Sequence, residues 1–373
     1  MSDATKNALL KAIIENPDED TPRLVFADLL DETDDDHDRA EFIRLQCGLP
    51  GADGKPPGCQ SGWDREDVLL RQHQERWVAE TFGSMVKDVR FWRGFPEECS
   101  TTAKTFAQRG AKWCQRTPLR ALIMSAVRGR AEQLAACSHL RHPTRLEIRD
   151  RRFDDADLTA LAGSRHLARL ERLTIGHSIL DHPTQVTDEG VRNLAAEAEF
   201  LPRLKHLSIT GNWNLSWYGL STLAQSKRIT GLRELQLMNT FIDDHEVYAL
   251  AEAGCGLTRL AIFRSQIGNE GLVALATSEK LPTLSEIRLS RSSITPDVFR
   301  DLARSRTRSG LRRLDLSCTH LGEVNADELG TLLAARPGLE LSLMECGLPH
   351  ELQDELDRRF DGRVEIDMEE WGV

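Results

Sequence analysis

The stretch LTRLAIFRSQIGNEGLVALA (257–276) sets a strand pattern directly before a helix pattern. In its first half, Leu257, Leu260 and Ile262 are interleaved with smaller or polar residues, the alternation of a half-buried strand. In its second half, Ile267, Leu272 and Leu275 fall five and then three residues apart, and the last two share one helix face. The segments LRELQLMNTFI (232–242), LSEIRLSRSSI (284–294) and LRRLDLSCTHL (311–321) align with the first half without gaps. LERLTIGHSIL (170–180) also fits, as does LKHLSITGNWNL from Leu204, with one extra residue before Leu215. The shared form is L-x-x-L-x-L-x-x-[small polar]-x-L. Its equivalent strand residues are Leu146, Leu173, Leu207, Leu235, Leu260, Ile287, Leu314 and Leu341, spaced by 27, 34, 28, 25, 27, 27 and 27 residues. Self-similarity at such a period means stacked supersecondary units, each burying its apolar face against the next.

Each unit continues into a helix that begins at Asp154, Thr187, Ser216, Asp243, Gly268 or Thr295. A small residue follows the apolar pair at Ala162, Ala195, Ala224, Ala251, Ala276 and Ala303, which lets the helix lie close to the strand layer. The unit therefore reads as strand, turn, short capped helix and return loop. This pattern resembles leucine-rich repeats, above all the ribonuclease-inhibitor-like class, and IGNEGLVALA (267–276) is similar to the bacterial GALA variety. The resemblance covers residues 86–373. It implies an α/β solenoid, a horseshoe with a parallel concave sheet and convex helices, and hence an elongated, curved particle. The family's asparagine position is taken by Ser178, Asn212, Thr240, Ser265, Ser292, Thr319 and Cys346, small residues suited to bonding buried backbone, while Arg151 departs from the pattern.

The array has irregular ends. VRFWRGFPEE (89–98), a helix over 101–114 and PLRALIM (118–124) read as first units; LPHELQDELDRRFDGRVEID (348–367) reads as a last helix, a turn at Gly362 and a closing strand. Such caps keep a solenoid from exposing its core. Residues 1–50 differ in kind, with 13 Asp or Glu against 5 Lys or Arg. Leu9, Leu10, Ile13 and Ile14 mark one amphipathic helix, TPRLVFADLLDE a second with Pro22 at its start, and RAEFIRLQCGL a third. TPRLVFADLLDE followed by RAEFIRLQ resembles the bacterial repeat-companion domain that precedes leucine-rich repeats, over residues 5–48, and FWRGFPEE fits the segment that follows it. That resemblance carries no activity. We expect three parts: a small all-helical acidic domain at 1–50; a linker, GLPGADGKPPGCQSG (48–62), and capping helix within 51–85; and the solenoid at 86–373. Phe26 and Phe42 are expected to pack partly on the helix at 63–82.

Composition narrows function. The chain has 373 residues, 40% hydrophobic and only 6% aromatic, with a net charge of -11. An acidic chain without a basic domain is no general nucleic-acid or anionic-membrane binder, no apolar run approaches membrane-spanning length, and the first residues lack the basic start of a signal peptide. Eight scattered cysteines without a C-x-x-C pair fit free thiols in a reducing cytoplasm. HELQD (350–354) has Asp354 where a zinc protease needs its second His. DETDDDHD (31–38) lacks the Gly and bidentate Glu of a calcium loop. RDLARSRTRSGLRR (300–313) carries six Arg without interleaved aromatics.

What remains is surface. In x-L-x-L-x the leucines point inward and the x positions face the concave side. Gln236, Met238, Arg259, Phe263 and Arg288 lie on three adjacent strands, with Met238 and Phe263 apolar at the centre and the two arginines as polar contacts. This is the composition of a protein interface. Trp213, Trp217 and Tyr218 form a second candidate surface. The expectation is a non-enzymatic, cytoplasmic, bacterial protein-interaction scaffold, monomeric when unbound, with no cofactor, metal, nucleic acid or membrane partner. The alternatives are a regulator that occludes a partner enzyme, and a ligase-type effector with a cysteine nucleophile.

Overall fold

The computed structural model describes residues 3–33, 36–48, 65–176, 184–210, 215–238, 242–305, 310–322, 324–360 and 362–366, without the side chains of Asp3, Trp217, His350 and Asp357. They form two compact units, 1–147 and 148–373.

The first unit opens with helices α1 (Asp3–Glu15), α2 (Thr21–Glu32), α3 (His37–Gly48) and α4 (Arg65–Phe82). Pro22 sits in the first turn of α2, where a missing N–H is harmless. There follow β1 (Lys87–Trp92), β2 (Phe95–Thr102), α5 (Ala103–Trp113), β3 (Ala121–Ser125) and α6 (Ala131–Ala135), and β4 (Arg145–Ile148) spans the division. The segment FWRGFP is an antiparallel hairpin, with Trp92 paired to Phe95. Arg93 and Gly94 turn it with positive φ at both positions, as a two-residue hairpin turn requires. Gly94 also lies so close to Ile43 that a Cβ there would meet the Ile43 Cα at 2.7 Å. β3 then joins β2 in parallel.

Two apolar clusters bind the helices to this hairpin. Ile13, Phe26, Ala27, Leu30, Ala40 and Ile43 pack with Phe95, while Phe42, Leu69 and Trp77 pack with Phe91. Phe42 meets Trp77 of α4 with ring centroids 5.1 Å apart. Phe26 instead packs on Phe95 of β2, at 5.6 Å. The reason is the spacing within α2, which sets Phe26 with Leu30 against α3 and the hairpin.

In the second unit the repeat is regular: α7 (Asp155–Ala162), β5 (Arg172–Ile175), α8 (Asp188–Glu197), β6 (His206–Thr210), α9 (Trp217–Gln225), β7 (Glu234–Met238), α10 (Asp244–Ala251), β8 (Arg259–Phe263), α11 (Asn269–Thr277), β9 (Glu286–Ser290), α12 (Asp297–Arg304), β10 (Arg313–Asp315), α13 (Ala326–Ala335), β11 (Glu340–Ser342), α14 (His350–Phe360) and β12 (Val364–Glu365). From β5 to β12 each strand pairs with the next in parallel. The core is an aliphatic ladder: Leu235, Leu237, Leu260, Ile262, Ile287 and Leu289 from the strands, Leu250, Leu272, Leu275 and Leu302 from the helices, all buried. This is the α/β architecture that the repeat pattern implies.

The helix starts show how one repeat holds the next. Asp154, Thr187, Ser216, Asp243 and Gly268 occupy the N-cap, whereas the sixth cap is Pro296, one residue beyond Thr295. The residue after the cap reaches across to the following repeat. Thr187 donates its N–H and hydroxyl to Asp155, at 2.7 and 2.6 Å. Ser216 donates likewise to Asp188, at 2.8 and 2.6 Å. The N–H groups of Gly268 and Gly271 donate to Asp244, and that of Thr295 to Asn269. A Cβ at Gly190 would stand 2.4 Å from Asp155 Oδ1, so the glycine makes room for the acid.

At the asparagine position, the Thr319 hydroxyl donates to Leu289 O and the Cys346 thiol to Leu316 O, while the Ser265 hydroxyl is buried without a partner among the described residues. Ser178, Asn212 and Thr240 lie outside the described residues. The array ends as expected: α14, then Gly362 with φ +75°, then β12. Arg363 donates to the carbonyls of Leu333, Arg336 and Leu339, closing the end of α13.

Candidate functional site

Strict parallel register builds the site. Glu234, Arg259 and Glu286 form one row across β7, β8 and β9; Gln236, Ala261 and Arg288 form the next; Met238, Phe263 and Ser290 the third. Adjacent residues in a row stand about 4.8 Å apart. All five residues expected from the sequence therefore share one face of three neighbouring strands. Gln236, Met238, Ala261 and Phe263 are half-buried there, and Arg259 and Arg288 are exposed. Gln236, Ala261, Phe263, Arg259 and Arg288, with His206, Glu234 and Glu286, line a shallow depression of about 160 Å³, and Met238 lies outside it. On β6, by contrast, Ser208 and Thr210 are buried, so the open face does not extend over that strand as the alternation implies.

The arginines are not free. Glu234 pairs with Arg259, with Arg172 at 3.4 Å and with His206 Nδ1 at 2.9 Å. The His206 hydrogen bond, assisted by the charges of Arg259 and Arg172, holds the Glu234 carboxyl below the usual range. Arg288 pairs with Glu286 two residues before it. The expected role of this arginine pair as open contacts is thus modified: each guanidinium already faces a carboxylate of its own sheet. The Gln236 amide reaches Met238 Sδ at 3.4 Å.

Sequence reading passed over one row. The residue five positions after the first strand residue has left-handed backbone in four successive repeats: Arg264 (φ 55°), Arg291 (54°), Cys318 (60°) and Glu345 (55°). For residues with a side chain this region is disfavoured by about 1–2 kcal/mol. Arg264 N–H donates to Ser290 O and Cys318 N–H to Met344 O, both at 2.8 Å, which locks the row to its neighbours. The signal was present in the alignment as two arginines following Phe263 and Ser290.

Of the second surface, Tyr218 is exposed in the first turn of α9. It borders a groove on the helical side with Arg192, Ala196 and Thr222. Trp213 lies outside the described residues, as does the side chain of Trp217.

Other candidates are occupied. Around DETDDDHD, Asp31 bonds His37 and Arg44, Asp36 bonds Arg76 and the Trp77 indole, and Asp38 bonds His73. No group of three or more His, Cys, Asp or Glu is arranged to hold a metal among the described residues. In the arginine-rich stretch, Arg300 pairs with Glu328 and Arg313 with Glu365, while 306–309 lie outside the described residues. Burial pushes the thiols of Cys99 and Cys114 up to about 12 and Cys47 to about 11; it also raises Cys137, Cys255 and Cys318, the last helped by Glu345. No described helix is long and apolar enough to cross a membrane.

A model of the leucine-rich-repeat family matches residues 256–276. Comparison with curated proteins returns no match. Among solved structures, the chain is similar to one from the Rad7–Elc1 complex of yeast, at 14% identity over 91% of this chain and 89% of that one, with a TM-score of 0.38. It is also similar to actin-binding site 2 of leiomodin-1, at 18% identity over 50% of this chain and 99% of that one, with a TM-score of 0.30. The fold is a leucine-rich-repeat-like parallel sheet whose strands alternate with helices, preceded by N-terminal helices.

Proposed function

We propose that this chain is a non-enzymatic scaffold that binds a partner protein on the outer face of β7, β8 and β9. Leucine-rich-repeat folds generally serve as protein-binding scaffolds and are typically non-catalytic. The observation that carries the reading is the row register, which sets Met238 beside Phe263 and Gln236 beside Ala261 within a frame of charges. An apolar centre inside a polar rim lets water be expelled where contact is closest. Self-paired arginines fit the rim of such a surface, because they hold their positions before the partner arrives. Cytoplasmic location, bacterial origin and a monomeric unbound state belong to this same proposal. So does the division into an acidic helical domain at 1–50, a linker and capping helix at 51–85, and the repeats at 86–373. The ligase alternative draws no support from the thiols, since a nucleophilic cysteine needs its pKa lowered and burial raises those described above.

The test is a binding titration of Phe263→Ala and Met238→Ala against a partner isolated by affinity capture with the full chain, with thermal melts alongside. A hot spot loses about 1–3 kcal/mol of binding on truncation. Folding should hold, because both side chains lie on the outer face. Unchanged affinity in both variants moves the site elsewhere.

A further inference from the structure

Arg264 and Arg291 stand on adjacent rungs, since Phe263 pairs with Ser290 and Arg264 N–H bonds Ser290 O. Three features of the pair run against local stability. Both backbones are left-handed, where glycine is the relaxed choice. Two like charges carried on rungs whose backbones lie about 4.8 Å apart repel. And neither guanidinium has an ion pair or hydrogen bond among the described residues, whereas Arg259 and Arg288 nearby are both neutralised. The left-handed turn recurs at Cys318 and Glu345, so what singles out this pair is two neighbouring guanidinium groups with no carboxylate partner among the described residues, as a site kept for an acidic ligand would have.

We infer that Arg264 and Arg291 form a clamp for carboxylate groups, and that the partner presents a short segment in which acidic residues adjoin an apolar one. This rests on the interaction surface proposed above: the apolar residue lies on Phe263 and Met238, and the carboxylates bridge the two arginines. Arginine's planar fork matches a carboxylate bidentately. A polyanion such as RNA fits less well, because the row continues from Arg291 to Cys318 and Glu345 and so offers no continuous basic track for a phosphate backbone. The chain's own acidic helical region is also a poorer occupant, because Asp31, Asp36 and Asp38 are already taken by its own basic residues.

The test uses the full chain and a displayed library of random decapeptides. Selected peptides should be enriched in Asp or Glu next to an apolar residue. Their affinity should fall about tenfold or more when Arg264→Gly and Arg291→Gly are combined, the loss of a charge-assisted contact. Glycine suits the left-handed backbone, so the melting temperature should stay level or rise, and weakened binding cannot be a folding defect. Phe263→Ala is measured in parallel. If it weakens binding while the double glycine variant does not, the interaction surface stands and the clamp falls. If only the glycine variant weakens binding, the apolar centre is wrong and the clamp stands. Selection of basic or neutral peptides, tighter retention of poly-uridine RNA, or self-association abolished by the glycines would each overturn the inference.

Discussion

Arg23 and Glu97 meet at 2.7 Å with both side chains almost fully buried. The guanidinium also donates to the carbonyls of Pro17 and Arg93, so α2 is tied to the β1–β2 hairpin through one side chain. Replacing Arg23 with Ala should cost about 3–5 kcal/mol in urea unfolding above about pH 7, where it leaves a buried carboxylate uncompensated. Burial pushes Glu97 up to about 7 against the pull of Arg23 and Arg120. In the unfolded chain it titrates near 4.5. Between those values the native state holds a proton that the unfolded state has released. Glu97's contribution is therefore complete below about pH 4.5 and lost as pH rises through about 7. The stability difference between the wild type and Glu97→Gln should accordingly shift against the wild type between about pH 5 and 8. A constant difference would mean that Glu97 is ionised in both states.

Within the repeats, the acid after each helix cap does what the cap alone does not. Asp155 receives both donors of Thr187, and Gly190 is small because Asp155 occupies the space a side chain would need. Gly190→Ala should destabilise the wild type by about 1–3 kcal/mol, and less in an Asp155→Ala background, where the collision is gone. A double-mutant cycle by thermal or urea unfolding checks this; simple additivity would deny the contact. The strands and helices of this region were legible because a period of 2 followed by apolar residues at helical spacing has one reading, and Ile267, Leu272 and Leu275 are indeed buried. The cap residues were legible as types. The acids beside them were not, since their partners lie 28 or 32 residues away. Arg259 and Arg172 stand 25 and 62 residues from Glu234, which hid their pairing too, so a rim that reads as open arginines is an internally balanced one. VRFWRGFPEE read only as part of an irregular first unit; its antiparallel turn rests on Arg93 and Gly94, which a repeat period does not weigh.

Over the whole chain, the N-terminal helices matter through what they cover. Phe91 and Phe95 are buried by Phe42, Trp77 and Phe26, none of them in the repeats. A chain beginning near residue 85 should expose both rings, elute partly as aggregate in size-exclusion chromatography and melt at a lower temperature than the full chain. Equal solubility and stability would remove the capping role. The ladder of side-chain acceptors adds an order in time. Asp155, Asp188, Asp244 and Asn269 each precede the residues that donate to them. On a ribosome, the acceptor is already in place when its donor emerges. At about 5–20 residues per second, a repeat of this length is made within several seconds, far longer than helix or turn formation takes. Each unit can then dock on a finished predecessor, so the array has a built-in direction of assembly, from the amino end towards the carboxyl end.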